Sequence, residues 1–211
     1  MPKQPPQIFT RLGELIVKWN ELEGKLQSLV HYLGNDWVTA VVLTAHMGNV
    51  SLVDALRTLA TERDETAKML DKYGASWRRE KHWPPLPLLL PDVTHLITCF
   101  ERLREYRNFY VHGITRTGEG RIFIASSTSA RARLTVHEMP VRVRDLIQLI
   151  KRIEAVDRYA SGVLTFAARM RSRNPWDVPP TSPERPPIPD RLKKPPLLVL
   201  GAERLPRSLR R

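Results

Sequence analysis

Apolar residues recur at intervals of three and four along most of the chain, a spacing that predicts long amphipathic helices. The first helix is predicted over residues 8 to 33 and ends at Gly34. Its apolar positions are Ile8, Leu12, Leu15, Ile16, Trp19, Leu22, Leu26, Leu29, Val30 and Leu33. The second is predicted to begin at a cap on Asp36 and to run to about Arg63, although Gly48 and Asn49 weaken its middle. Its predicted core positions are Val41, Leu43, Met47, Val50, Val53, Leu56 and Leu59.

A third helix is predicted to start at a cap on Asp92, after a proline-rich break. Its buried stripe contains Val93, Leu96, Ile97, Phe100 and Leu103. Gly113 is expected to stop this helix in a left-handed conformation. The apolar period then changes to two, which predicts a small β meander over about 114 to 138, with a hairpin turn at Gly118 to Gly120. A last helix is expected from Pro140 to about residue 172.

These elements predict a mainly α fold: a bundle of four to five helices over residues 1 to 173, with the β meander inserted in it. Residues 174 to 211 hold ten of the chain's 18 prolines. This composition predicts an extended arm that builds neither helix nor sheet. We interpret it as a disordered basic tail. The alternative is a docking arm, because Trp176 and the PPLLVL segment offer apolar groups that could pack on a domain or a neighbouring subunit.

The chain of 211 residues has a formal net charge of +12, which is compatible with a polyanionic partner or with a basic surface that only aids solubility. No apolar run is long enough to span a membrane, and the N-terminus lacks a signal-peptide pattern, so we expect a cytoplasmic protein. The single cysteine, Cys99, lies among apolar positions and is interpreted as a core residue.

Polar residues interrupt the third helix close to its end, in the segment EYRNFYVHG. Arg107 falls on the continuation of the apolar stripe, which points its charge toward an interior or an interface. Asn108 and His112 are four residues apart and share a face, whereas Arg107 and His112 diverge by about 140°. If the last turn loosens at Gly113 and the long arginine side chain swings toward His112, guanidinium and imidazole can meet at one anion.

The order Arg107, Asn108 and His112 late in a bundle helix resembles the R-N-x-x-x-H signature of the HEPN superfamily. The similarity extends over about residues 8 to 172, with Trp19 and Glu23 on the first helix, but not to the β meander or the tail. It implies a twofold homodimer in which two copies of the motif face one cleft. It further implies a metal-independent RNA endonuclease without cofactor, similar to toxins and defence effectors, with RNA and an antitoxin or other regulator as partners.

The residue types suit this chemistry, because RNA supplies its own nucleophile, the 2′-hydroxyl. His112 would exchange protons, Arg107 would neutralise charge on the reacting phosphate, and Asn108 would orient the histidine or hold a phosphate oxygen. No metal is implied, since the six histidines are scattered without acidic or cysteine companions at ligand spacing; they are His31, His46, His82, His95, His112 and His137.

Several alternatives stay open at this point. Arg107 could pair with Glu23 or Glu101, Asn108 could join helices, and His112 could be a helix end-cap. The chain would then be a catalytically inactive HEPN-like dimerisation or protein-interaction module, or a structural component of a larger assembly.

We interpret the other candidate residues as structural, not as functional. Glu23 is placed at the boundary of the first helix's stripe, and Gly118 and Gly120 in a turn. The tryptophans Trp37, Trp77 and Trp83 are interpreted as gap-fillers between helix ends, not as base-stacking groups. A solvated basic face is the interpretation for Arg131, Arg133, Arg142 and Arg144.

Overall fold

The computed structural model describes residues 5–34, 37–73, 87–118, 121–130, 133–171, 181–192 and 196–200. This part of the chain contains five helices: α1 Pro5–Leu33, α2 Trp37–Ala45, α3 Asn49–Tyr73, α4 Leu90–His112 and α5 Val143–Arg171. It also contains the strands β1 Ile114–Gly118, β2 Arg121–Ala130, β3 Arg133–Pro140 and β4 Pro196–Leu200. The fold is therefore mainly α, a helical bundle with a small antiparallel sheet, as the apolar periodicity predicted.

The chain divides into two compact units, which we describe separately. Unit 1 consists of Met1–Lys18, Arg102–Arg152 and Pro189–Arg211, and unit 2 of Trp19–Glu101 and Ile153–Ile188. None of the described helices combines the length and the apolarity that crossing a membrane requires.

The predicted stripes of the long helices form the core. On α4, all five predicted positions are buried, and Phe100 stacks on Trp19 of α1 with ring centroids 4.7 Å apart. Most of the predicted α1 stripe is buried too, but Ile16 is 38% exposed. Burial of such side chains is the main favourable contribution to folding, at about 25 cal/mol per Å² of apolar surface.

The prediction of a single helix from residue 36 to 63 is wrong. The segment forms two helices, because α2 ends at Ala45 and α3 begins at Asn49, after Gly48, whose carbonyl accepts a hydrogen bond from the amide of Leu52. Glycine is a poor helix former, so a break at this point costs little. The break also changes the buried face: Val41 and Val50 are exposed, whereas Leu52 is buried. The predicted cap at Asp36 lies outside the described residues.

The predicted cap of α4 is also wrong, because Asp92 lies inside the first turn of this helix. A buried carboxylate from α3 holds the helix start instead: the amides of Leu89 and Leu90 donate to Oδ1 and Oδ2 of Asp64 at 2.8 and 2.9 Å. These amides belong to the group that a helix leaves without internal partners. Pro91, which has no amide hydrogen, fits this turn at no cost.

The sheet has the order β1-β2-β3-β4, with every neighbouring pair antiparallel. The predicted meander is confirmed, but it continues to Pro140, so the last helix starts at Val143 instead of at Pro140. The fourth strand was not predicted. It comes from the C-terminal arm and pairs with β3, where Val136 lies opposite Leu198.

The expectation of a disordered tail without sheet is therefore wrong for the described part of the arm. Besides β4, residues 181–192 form an extended segment that contacts helices. Pro189 is buried, and the amide of Leu192 donates to Oε2 of Glu105 at 3.2 Å. Trp176 and the rest of the arm lie outside the described residues.

We predict that Asp64→Ala lowers the free energy of unfolding by about 1 to 3 kcal/mol, because it leaves a buried amide at the start of α4 without an acceptor. Urea denaturation followed by circular dichroism measures the loss. The matched control is Glu65→Ala, which removes an exposed carboxylate paired with exposed Lys68 and should change stability by less than about 0.5 kcal/mol. Equal effects of the two substitutions would contradict the capping role.

Candidate functional site

The three motif residues lie in the last turns of α4, in unit 1. Phe109 and Tyr110 between them are buried and contact each other edge to face, with ring centroids 5.6 Å apart. Since successive helix residues turn by about 100°, Asn108 and His112 lie about 40° apart on the helix surface, and both are exposed. Arg107 is half-buried. The buried aromatic residues thus fix the orientation of the exposed polar ones.

Arg107 joins the other two side chains. Its Nη1 donates to Oδ1 of Asn108 at 3.2 Å and lies 2.8 Å from Nε2 of His112. The guanidinium and imidazole therefore contact each other, although five residues separate them and the last turn stays closed through the bond from the Gly113 amide to the Phe109 carbonyl. The reach of the arginine side chain closes the angular gap.

The contact between Arg107 and His112 fixes the chemistry of the imidazole. A guanidinium can only donate, so Nε2 of His112 must accept. The imidazole in this arrangement is consequently the neutral tautomer with its proton on Nδ1. Nε2 carries the lone pair that could take a proton in catalysis, and Arg107 occupies it.

The charge of Arg107 has no carboxylate partner within the described residues. Glu105, close by on the same helix, is engaged elsewhere, since its carboxylate lies near Arg102 and accepts from the amide of Leu192. The Nε atom of Arg107 is buried and has no hydrogen-bond partner in the described part of the chain. A half-buried guanidinium with a spare donor favours the approach of an anion.

Gly113 ends α4 for a reason other than the one predicted. Its backbone lies outside the left-handed region, and its amide still donates to the carbonyl of Phe109 at 3.1 Å. The constraint is space: a Cβ here would overlap Cγ2 of Ile124 and lie 2.6 Å from the Phe109 carbonyl oxygen. Glycine lets β2 pack directly against the helix end that carries His112.

Two further ionisable groups on α4 are unsuited to proton transfer at neutral pH. Burial raises the pKa of Tyr110 to about 12, and the Asp145 carboxylate adds to this effect. Burial likewise raises the pKa of Cys99 to about 11, although Nε2 of His95 lies 3.6 Å from its sulfur. Cys99 is fully buried, in agreement with its interpretation as a core residue.

The remaining predicted candidates are either unremarkable or outside the described residues. Glu23 is half-buried, and Arg142 and Arg144 are exposed at the start of α5. The side chains of Trp37, Trp77, Trp83, Arg131 and Arg133, and residue Gly120, are not described. Among the described residues, no three His, Cys, Asp or Glu side chains are grouped so that they could hold a metal ion.

Sequence reasoning missed a second polar cluster, formed by Asp92, Tyr159 and Arg185 in unit 2. Asp92 is fully buried, and its Oδ1 accepts from the Tyr159 hydroxyl at 2.9 Å and from Nε of Arg185 at 2.8 Å. These residues are 67 and 93 positions apart from Asp92, too far for any local pattern to connect them. The only sequence signal for this cluster was the position of Asp92 beside the apolar stripe of α4.

No family model, curated protein or solved structure matches this chain.

We predict that Gly113→Ala destabilises the fold by about 1 to 3 kcal/mol, because the new methyl group overlaps Ile124 and the backbone of Phe109. Thermal unfolding monitored by circular dichroism measures the change. Gly13→Ala is the control: it adds a methyl in open space within α1 and should be neutral or stabilising. A wild-type melting temperature for Gly113→Ala would rule out the close packing.

The contact with Arg107 also predicts the protonation pattern of His112. Long-range ¹⁵N NMR correlation at a pH where the ring is neutral should show the proton on Nδ1. Arg107→Ala removes the donor to Nε2 and should shift the population toward the Nε2–H form, whereas Arg57→Ala on α3 should not. A predominant Nε2–H form in the wild-type chain would contradict the geometry.

Proposed function

We propose that this protein is a metal-independent RNA endonuclease of the HEPN type, in which Arg107 and His112 act on the scissile phosphate. The single observation that carries the proposal is the 2.8 Å approach of the Arg107 guanidinium to Nε2 of His112 at the exposed end of α4. This pairing brings a fixed cation and a proton-exchanging group within the width of one phosphate.

The reaction that suits these groups is cleavage by the RNA's own 2′-hydroxyl. The hydroxyl loses its proton, its oxygen attacks phosphorus, and the bond from phosphorus to the 5′-oxygen breaks. The leaving oxygen takes up a proton, which gives a 2′,3′-cyclic phosphate and a 5′-hydroxyl end. A histidine can exchange these protons near neutral pH, and an arginine can stabilise the extra negative charge of the transition state.

Substrate binding would also activate the histidine. In the free protein, Nη1 of Arg107 occupies the lone pair of Nε2. A phosphate is a stronger acceptor for guanidinium than a neutral imidazole, because that hydrogen bond is charge-assisted. When a phosphate draws Arg107 away, Nε2 becomes free to accept the proton of the 2′-hydroxyl. Asn108, bonded to the same Nη1, would hold the guanidinium near its working position.

The charge of unit 1 favours a polyanionic substrate. The sequence stretches that form this unit hold 21 Lys and Arg against seven Asp and Glu, a formal net charge of +14. Unit 2 has 13 against 15, a net charge of −2. The entire positive surplus of the chain thus belongs to the unit that carries Arg107 and His112, as expected for a site that attracts a nucleic-acid backbone.

Cleavage needs both a base and an acid, and each copy of the chain has one imidazole in this motif. A twofold dimer would bring a second His112 to the same phosphate, so that one ring accepts the first proton while the other donates the last. The homodimer is therefore part of the proposal.

A second candidate function is a catalytically inactive interaction module. The observation that favours it is that both contacts of Arg107 stay within its own helix, which is also what a structural network at a helix end would show.

We predict that the wild-type protein cleaves mixed-sequence single-stranded RNA in excess chelator and leaves cyclic phosphate ends. His112→Ala and Arg107→Ala should each lower the rate at least 100-fold, because each removes a group that acts in the transition state. Denaturing gels give the rate, and phosphatase sensitivity of the products identifies the ends.

The control variants change the same residue types far from the site: His46→Ala in the turn after α2 and Arg57→Ala on α3, both of which should cut like the wild type. Light scattering must show the same oligomer for every variant. No cleavage by a folded wild-type dimer would favour the interaction module, and equal cleavage by all variants would indicate a contaminating nuclease.

A further inference from the structure

The C-terminal arm lies against α4 and α5, and its contacts there have the features of peptide binding. We call the surface of Asp92, His95, Tyr159 and Gly162 that it covers the groove. Within unit 2, Arg185 of the arm reaches Asp92, a carboxylate whose side chain is only 1% exposed, with Nε 2.8 Å from Oδ1. A buried carboxylate requires a positive partner, since an unpaired charge in an apolar interior is costly. The groove therefore favours a cationic side chain at this position, which the arm supplies as Arg185.

Two aromatic residues complete the polar part of the groove. The Tyr159 hydroxyl shares its one proton between Oδ1 of Asp92 at 2.9 Å and the backbone oxygen of Asp92 at 3.2 Å. His95 packs edge-on against Tyr159, with ring centroids 5.4 Å apart. Nε2 of His95 lies 2.8 Å from the carbonyl oxygen of Pro186, and because a carbonyl only accepts, His95 donates. The groove thus binds a backbone carbonyl one residue after the arginine.

Gly162 of α5 has no side chain and so leaves space for a proline of the arm; we call this space the notch. Gly162 lies under Pro183, and a Cβ at this position would come within 2.8 Å of the proline Cβ. Any larger residue would push the arm away from the helix. Separate parts of the groove thus contact the ring of Pro183, the guanidinium of Arg185 and the carbonyl of Pro186, in this order along the arm.

The arm does not satisfy every polar atom of this groove. Oδ2 of Asp92 is buried and has no hydrogen-bond partner among the described residues, while Arg185 offers only Nε to the carboxylate. The Arg185 side chain is 45% exposed. A guanidinium that approached Asp92 with two parallel donors would satisfy both oxygens and bind more tightly than the arm does.

We propose that Asp92, His95, Tyr159 and Gly162 form a binding site for a proline-rich peptide of the type Pro-x-Arg-Pro, supplied by a partner protein, and that the chain's own Pro183 to Pro186 fills it in the absence of that partner. A proline-rich segment is already extended and loses little entropy on binding, which suits a site that offers few contacts. The arm, tethered to the same chain, competes through its high effective concentration. This site is separate from the residues of the proposed nuclease.

The test uses full-length chain and a fluorescent peptide with the sequence of residues 181–192, TSPERPPIPDRL, followed by fluorescence anisotropy. Arg185→Ala weakens the resident arm, so this variant should bind the peptide saturably and at least tenfold more tightly than the wild type. Adding Asp92→Asn to Arg185→Ala should abolish binding, as should a peptide with alanine in place of its arginine.

Gly162→Ala, made in the Arg185→Ala chain, tests the notch separately. Alanine suits a helix better than glycine, so the variant should fold, yet it should weaken peptide binding at least tenfold. Gly24→Ala, whose methyl enters open space in α1, is the control and should bind normally.

The proposal is overturned if Arg185→Ala binds no peptide at millimolar concentration, or if binding persists without the arginine or without Asp92. Equal binding by wild type and Arg185→Ala would show that the arm does not occupy the peptide's site.

Discussion

The anchoring of α4 is the constraint on which the candidate chemistry of this protein depends. At its start, the buried carboxylate of Asp64 accepts the amides of Leu89 and Leu90. At its end, Gly113 allows the backbone to approach Ile124 more closely than any side chain would permit. Between them, the apolar stripe is fully buried. Each of these contacts holds one end of α4, so the polar groups next to that end keep defined positions.

The elements that follow from local pattern could be predicted from sequence. The stripe of α4 and the β meander depend on residues a few positions apart, and both are confirmed. The predicted start of α4 was wrong because a residue far away in the sequence forms its cap. Asp92 has the residue type of a cap, but Asp64 takes that role from 26 positions away, as no local rule could indicate. Gly48 weakened the second helix in the prediction, and in the structure the helix breaks there.

The arm shows a second limit of composition-based reasoning. A proline-rich stretch without apolar periodicity predicts that the segment builds no core of its own, and this is correct for residues 181–192, which form neither helix nor strand. It does not predict whether another part of the chain supplies partners. Here the partners are a buried carboxylate, a histidine and a glycine notch. For β4 the partner is the backbone of β3, whose hydrogen bonds depend little on side-chain identity.

The proximity of the candidate site residues could be predicted in part for the same reason. Arg107, Asn108 and His112 lie within six residues, so helix geometry and side-chain length were enough to bring them together. The direction of the hydrogen bond between Arg107 and His112 and the spare donor of Arg107 needed coordinates, since they depend on how the side chains pack.

Both proposed sites include a residue of α4 that has a buried polar atom without a hydrogen-bond partner in the described part of the chain. Nε of Arg107 and Oδ2 of Asp92 are both buried without a partner among the described residues, at a cost of about 1 to 3 kcal/mol each. Trp19 Nε1 and Asp157 Oδ1 share this property, so the property alone identifies no site. Arg107 and Asp92 differ in that each has its other atoms engaged by groups a ligand could replace, His112 in one case and the arm's Arg185 in the other. A charged group with a replaceable partner and a spare atom binds a better ligand at little further desolvation cost, which is why these two positions carry our proposals.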